Sequence, residues 1–229
     1  MTILALDTSG PVCSVAVLTD QVLRYEARAV NKLTHSRSLM PMVDEAIQKS
    51  GIALQDITLI AAVIGPGSFT GVRIGVAAAQ GIARGLQIQC LAVNAMEAMA
   101  YSVSLHGMVI CPIRDARSGQ VYGAAFSQGQ RLIKDQALKL NEYLEQVNSL
   151  GESLFFLGDG ALSYGEQIIQ ILGSRASVAP VHLLLPGAGA AAVLAFHNQD
   201  GAVDPGQLMP LYLRAPQAER LRAQKYGAL

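Results

Sequence analysis

A chain of 229 residues has room for one large or two small domains, and with 51% hydrophobic and 15% charged residues it is no disordered segment. Its 17 basic and 17 acidic residues cancel, which excludes a global field that would recruit nucleic acid or an anionic membrane, so any RNA is expected to be held mainly by something else. The N-terminus MTILALDTSG lacks the basic start and long apolar run of a secretory leader, and no apolar stretch runs unbroken for the ~20 residues of a membrane helix, so a cytoplasmic protein is expected.

In chain order, residues 2–8, 12–19 and 22–29 read as three short strands separated by Gly-Pro and Asp-Gln turns. A helix is predicted from about Ser36, where Leu39, Met42, Val43, Ala46 and Ile47 recur on one face. Gly51 ends it, and Pro41 is placed in its first turn or at a kink. A buried strand, TLIAAVIG, enters a glycine-led loop and an uncharged helical run from Ile74 to Ala83; IQCLAV adds a strand and residues 94–104 a helix. From Gly107 a similar order returns. GMVICPI, QVYGAAF and RLIKDQALKL read as strands, residues 141–149 as a helix, SLFFLG as a strand, and 161–172 and 188–198 as helices. Strands in meander followed by helix, strand and helix, written twice, predict an α/β fold of two similar mixed-sheet halves with a cleft between them. The boundary falls between residues 1–104 and 105–229, with the final segment packing back on the first half. Cys13, Cys90 and Cys111 sit in apolar strands without CxxC spacing, which favours buried reduced thiols over a disulfide framework or a zinc site.

Two turns carry candidate chemistry. In LDTSGPVCSVAV, Asp7, Thr8 and Ser9 stand at a strand-to-turn junction where amides and hydroxyls can meet phosphate oxygens and the aspartate a hydrated magnesium ion. An ordinary hairpin with an Asx-type turn has the same sequence. In IGPGSFTGVRIGVAAAQGIARG, Gly65 and Gly67 allow close approach of a ligand and Ser68 opens a helix whose N-terminus favours an anion. No lysine follows, so it is not a Walker loop, and a plain strand-to-helix turn remains the alternative.

The helix after this turn is apolar on two faces, Val72, Val76, Ala79 and Ala83 on one and Gly71, Gly75, Ala78 and Ile82 on another. A surface helix wets all but one stripe, so a second face implies either complete cover by its own chain or a partner. Val72, Arg73, Val76, Ala79, Gln80 and Ala83 are the expected partner-binding residues.

LALDTSGPVCSVAV, HSRSLMPMVDEAI, IGPGSFTGVRIGVAAAQGIARG and PIRDARSGQVYGAAF, in that order, closely resemble the TsaB (YeaZ) family. The resemblance is strongest through residue 126 and thins after Gly160. It implies an actin-like ATPase (ASKHA) fold and a non-catalytic, activating role beside TsaD in making threonylcarbamoyladenosine on tRNA. It further implies a heterodimer with TsaD, a seat for the ATPase TsaE, a homodimer when TsaD is absent, and tRNA contact mainly through the complex. ATP is then used by the assembly, with no cofactor bound by this chain itself. Where TsaD carries a His-x-x-x-His metal pair, VNAMEAM places Ala95 and Met99, and where it carries a late aspartate this chain has Gly189, so neither a metal site nor catalysis is expected. His35, His106, His182 and His197 are too scattered to replace it.

Two other readings stay open. An independent actin-like ATPase or phosphotransferase would use Asp7 with Asp115 or Asp159, although Asp159 also suits a Gly-Asp-Gly tight turn and Asp115 a pairing with Arg117. A peptidase is the weaker reading, because no serine stands in a GxSxG elbow. The tail RAPQAERLRAQKYGAL, with Arg214, Arg220, Arg222 and Lys225, suits a solvated end or a contact with RNA phosphates.

Overall fold

The computed structural model describes residues 1–214 apart from Lys32, Ser104 and His106. Apolar runs broken by turns form a meander of β1 (Thr2–Asp7), β2 (Cys13–Thr19) and β3 (Val22–Ala29). After it come α1 (His35–Ser50), β4 (Leu59–Val63), α2 (Phe69–Leu86), β5 (Gln89–Val93) and α3 (Ala95–Tyr101). The second half repeats the order with β6 (Met108–Asp115), β7 (Gln120–Ser127), β8 (Gln130–Lys139), α4 (Leu140–Asn148), β9 (Ser153–Leu157) and α5 (Asp159–Leu172). It closes with β10 (Ala176–Val178), the short α6 (Val181–Leu184) and α7 (Gly189–His197).

Each half makes a five-stranded sheet, β3-β2-β1-β4-β5 and β10-β9-β6-β7-β8, which is one order read from opposite edges. In both, the meander pairs antiparallel and the two later strands join in parallel on the other side of the first strand. The duplication expected from element order is therefore present as topology. Strand β10 and helix α6 were not predicted, since three or four residues are too few for a periodicity to register. Pro41 lies beyond the first turn of α1, on its exposed side. Asp159 and Gly160 open α5 instead of forming a tight turn, placing a carboxylate where the helix dipole favours one.

Side-chain alternation divides the core. Leu4 and Leu6 of β1 face a layer under α1 and α2 that includes Leu39, Val43, Val72 and Val76. Ile3 and Ala5 face the other way, into a layer continuous with the second sheet. That layer holds because the halves exchange a helix: α3 packs on β6 and β7, α7 packs on β1, β2, β4 and β5, and the two helices touch. The last described segment returns to the first half. Val203 bridges to Cys90, Leu208 is buried under α2, and the Leu211 amide donates to the Ile64 carbonyl at 2.8 Å. No helix among the described residues is long and apolar enough to cross a membrane.

All three thiols are buried and unpaired. Burial pushes Cys13 and Cys90 up to about 11 and Cys111 up to about 12, with the Asp7 charge adding to the rise at Cys13. At pH 8 each is neutral and shielded, and the thiolate is the reactive form. A disulfide reagent is therefore expected to modify none of them quickly in the native protein and all of them at once in denaturant. Rapid native modification of any one would contradict this packing.

Candidate functional site

The two candidate turns come together at the cleft end of the first sheet. Thr8 Oγ1 donates to the Gly71 carbonyl at 2.7 Å, and Ser9 donates to Asp7 Oδ1 from both its amide (2.8 Å) and its hydroxyl (2.5 Å). The Ser68 amide donates to the Ser9 carbonyl at 2.8 Å, while Ser68 Oγ caps α2 by accepting from the Gly71 amide at 3.2 Å. Close approach makes this possible: a Cβ on Gly67 would lie 2.1 Å from the Ser9 carbonyl oxygen, and one on Gly71 2.1 Å from that of Thr8. Of the six residues expected to bind phosphate, Ser9, Gly67 and Ser68 line a cleft of about 580 Å³. Asp7 and Thr8 are buried behind it, and Gly65 packs against the Leu211 carbonyl. The amides of Ser9 and Ser68, which a phosphate would need, are already engaged within the chain.

The facing wall comes from the ends of β6 and α5. Arg114, 6% exposed, donates from Nη2 to Ser9 Oγ at 2.8 Å and from Nη1 to Asp159 Oδ1 at 3.2 Å, with Nη2 3.8 Å from Asp7 Oδ2. Asp115 is not ion-paired with Arg117; it accepts from the Arg117 amide and from the Tyr164 hydroxyl, and its own amide donates to Asp159. Burial, and then the Asp115 charge, push the Tyr164 phenol above its ordinary value. His35 Nε2 lies 2.8 Å from the Gly10 carbonyl oxygen, so it is turned to backbone and not to a serine hydroxyl. Arg114 was missed as a site residue. The available signal was the Arg-Asp pair that ends the apolar run MVICPI.

Of the six partner-binding residues expected on α2, four turn inward and two, Arg73 and Gln80, lie on its flank. Val72, Val76, Ala79 and Ala83 are buried in the chain's own core beneath the helix. Arg73 is exposed but stacks on Phe69 at 3.8 Å and donates to the Tyr212 hydroxyl, while Gln80 donates to the Leu208 carbonyl at 2.9 Å. All six are engaged within the chain. The face left open carries Ala77, Ala78, Gly81 and Ile82 and continues onto α1. There Met40, Ile47, Leu54, Ile82 and Leu86 line an apolar groove of about 390 Å³, with Asp44 as its single charge.

Ala95 and Met99 are core residues of α3, and the Gly189 amide at the start of α7 donates to Glu26 Oε1 at 2.8 Å. His182 lends only its carbonyl, to Arg28, and His197 sits edge-on to Phe196. Among the described residues no three histidines, cysteines, aspartates or glutamates converge. Arg214 reaches the Ala116 carbonyl at the cleft, whereas His106, Arg220, Arg222 and Lys225 lie outside the described residues.

Two mixed sheets of one topology, joined by exchanged helices around a cleft at their strand ends, define a protein of the actin-like ATPase fold. The ethanolamine utilization protein EutJ from Carboxydothermus hydrogenoformans shares that fold at a TM-score of 0.51 and 14% identity, covering 85% of this chain and 89% of its own. The family model described as TsaD, tRNA N6-adenosine threonylcarbamoyltransferase, matches residues 29–219. The tRNA threonylcarbamoyladenosine biosynthesis protein TsaB of Bacillus subtilis (strain 168) is 33% identical over 223 residues, 96% of each chain. YeaZ from Pseudomonas aeruginosa superimposes at a TM-score of 0.72 with 29% identity, over 93% of this chain and 99% of its own. The chain belongs to the TsaB (YeaZ) family.

The fold implies a nucleotide with its cation in the cleft, and the residues present do not fit one. The carboxylates that would face a cation, Asp7 and Asp159, both face the Arg114 guanidinium, and the Ser9 and Ser68 amides are bonded internally.

Proposed function

We propose that this chain is the non-catalytic member of a heterodimer with TsaD in tRNA threonylcarbamoyladenosine biosynthesis, docking through the groove between α1 and α2. Membership of the family supports the pathway, and the groove is the observation that carries the docking. Met40 and Leu54 are more than a third exposed around a floor with one charge. Covering the exposed part of each, less than half of a side chain, contributes about 1 kcal/mol, and the other groove residues add to it. A noncatalytic role is supported by Ala95 and Met99, which lie packed in the core where the TsaD resemblance would have metal-binding histidines. In this reading the chain is cytoplasmic, forms a homodimer through the same groove when TsaD is absent, and helps to seat TsaE. ATP and tRNA are handled by the assembly.

Light scattering after size exclusion, on this chain alone and mixed with TsaD of the same organism, tests the pairing. The expected mixture is a species of one chain each, formed at the expense of any homodimer. Two unchanged peaks at micromolar concentrations would overturn it.

A further inference from the structure

We infer that Arg114 is an internal cross-link holding the two lobes at one opening, where an actin-like fold would otherwise seat a ligand's cation. The bases of the lobes are fixed by the exchanged helices α3 and α7, whereas at the cleft end the lobes are joined by side chains, Arg114 and, from the segment after Leu211, Arg214 on the Ala116 carbonyl. Among the described residues, the ion pair that reaches from strands of the second sheet to those of the first is Arg114 with Asp7. The same guanidinium holds Asp159 on its own lobe and Ser9 on the other, so one planar fork with several fixed donors spans the gap.

Three features indicate a fitted seat. Gly10 leaves room for the guanidinium and nothing else: a Cβ there would lie 1.7 Å from Nη1. Asp7 is aimed by the Ser9 amide and hydroxyl, which hold its other oxygen. Arg114 Nε is buried without a partner, a cost consistent with a side chain placed for its two terminal nitrogens. Because arginine stays charged in proteins, the link needs neither ligand nor proton uptake to persist. Without it, two carboxylates of like charge would face each other across the cleft.

Spin labels at Lys49→Cys on α1 and Gln170→Cys on α5 read the separation of the lobes, since the native thiols are buried. Electron–electron resonance on the full chain is expected to give one narrow distance, unchanged by millimolar MgATP. With Arg114→Met added, the distribution is expected to widen and shift to longer distances. Should that variant not fold, Asp159→Asn, which keeps the shape and removes one carboxylate charge, is expected to widen it to a smaller degree. A wild-type distance that moves on adding MgATP, or a folded variant with an unchanged distribution, would overturn the cross-link.

Discussion

Val76→Glu is expected to leave no folded protein, whereas Ile82→Glu on the same helix is expected to give a folded chain that no longer pairs with TsaD. Val76 is 5% exposed and packs in the layer between α2 and the first sheet. A carboxylate there has no partner, and breaking apolar packing around an uncompensated charge costs several kcal/mol of a total stability of about 5–15 kcal/mol. Protonation would relieve part of the cost but not the loss of packing. Ile82 is only partly buried and borders the groove, so in the free chain a glutamate reaches water. In a heterodimer the same charge would be desolvated against an apolar surface, weakening pairing by about a hundredfold or more. Circular dichroism melts and light scattering separate the two outcomes. A folded Val76→Glu chain that fails to pair, beside an Ile82→Glu chain that pairs normally, would return the partner role to the face first assigned from sequence.

The pattern of α2 leaves open which of its faces a partner would take. Small and apolar residues occur on both faces, so a period of 3.6 marks the faces without ranking them. The missing information is tertiary: the first sheet takes the Val72, Val76, Ala79 and Ala83 face, and Leu208 and Tyr212 return to the flank of α2 beside Gln80 and Arg73. Strands and most helices were legible because their apolar runs are bounded by Gly, Pro and Asp turns. The doubled order of elements foretold the doubled topology. The exchange of α3 and α7 was not legible, because nothing in AMEAMAY or GAAAVLAFH says which sheet will receive it.

The cleft divides in the same way. Asp7, Ser9, Gly67 and Ser68 were recognisable as parts of a phosphate-binding turn, and the structure does bring them together. What the sequence could not convey is that the Ser9 and Ser68 amides would be bonded within the chain, or that Arg114, more than a hundred residues from Asp7 along the chain, would face both carboxylates. A motif records residue types and spacing; it does not record which hydrogen bonds are already made.

The glycines of α2 offer a direct measure of this distinction. Gly71→Ala and Gly75→Ala are expected to destabilise the chain, and Gly81→Ala and Gly85→Ala to stabilise it. A methyl on Gly71 would lie 2.1 Å from the Thr8 carbonyl oxygen, and one on Gly75 2.5 Å from Thr8 Oγ1, which is itself held by the Gly71 carbonyl. Relieving the overlap at Gly71 means moving α2 off the β1–β2 turn, and at Gly75 it means turning the Thr8 hydroxyl off the Gly71 carbonyl, a strain of about 1–3 kcal/mol, partly masked by alanine's helix advantage of about 1 kcal/mol. At Gly81 and Gly85 a methyl meets nothing within 4 Å, so the helix advantage stands alone. For a chain of this size each kcal/mol moves Tm by about 2–4 °C. Thermal melts of the four variants should therefore split in sign, Gly71→Ala falling by about 3 °C and Gly81→Ala rising by about 2 °C. If Gly71→Ala melted like wild type, close packing would not be the reason for glycine there, and a ligand approaching the helix N-terminus would regain its claim on the loop.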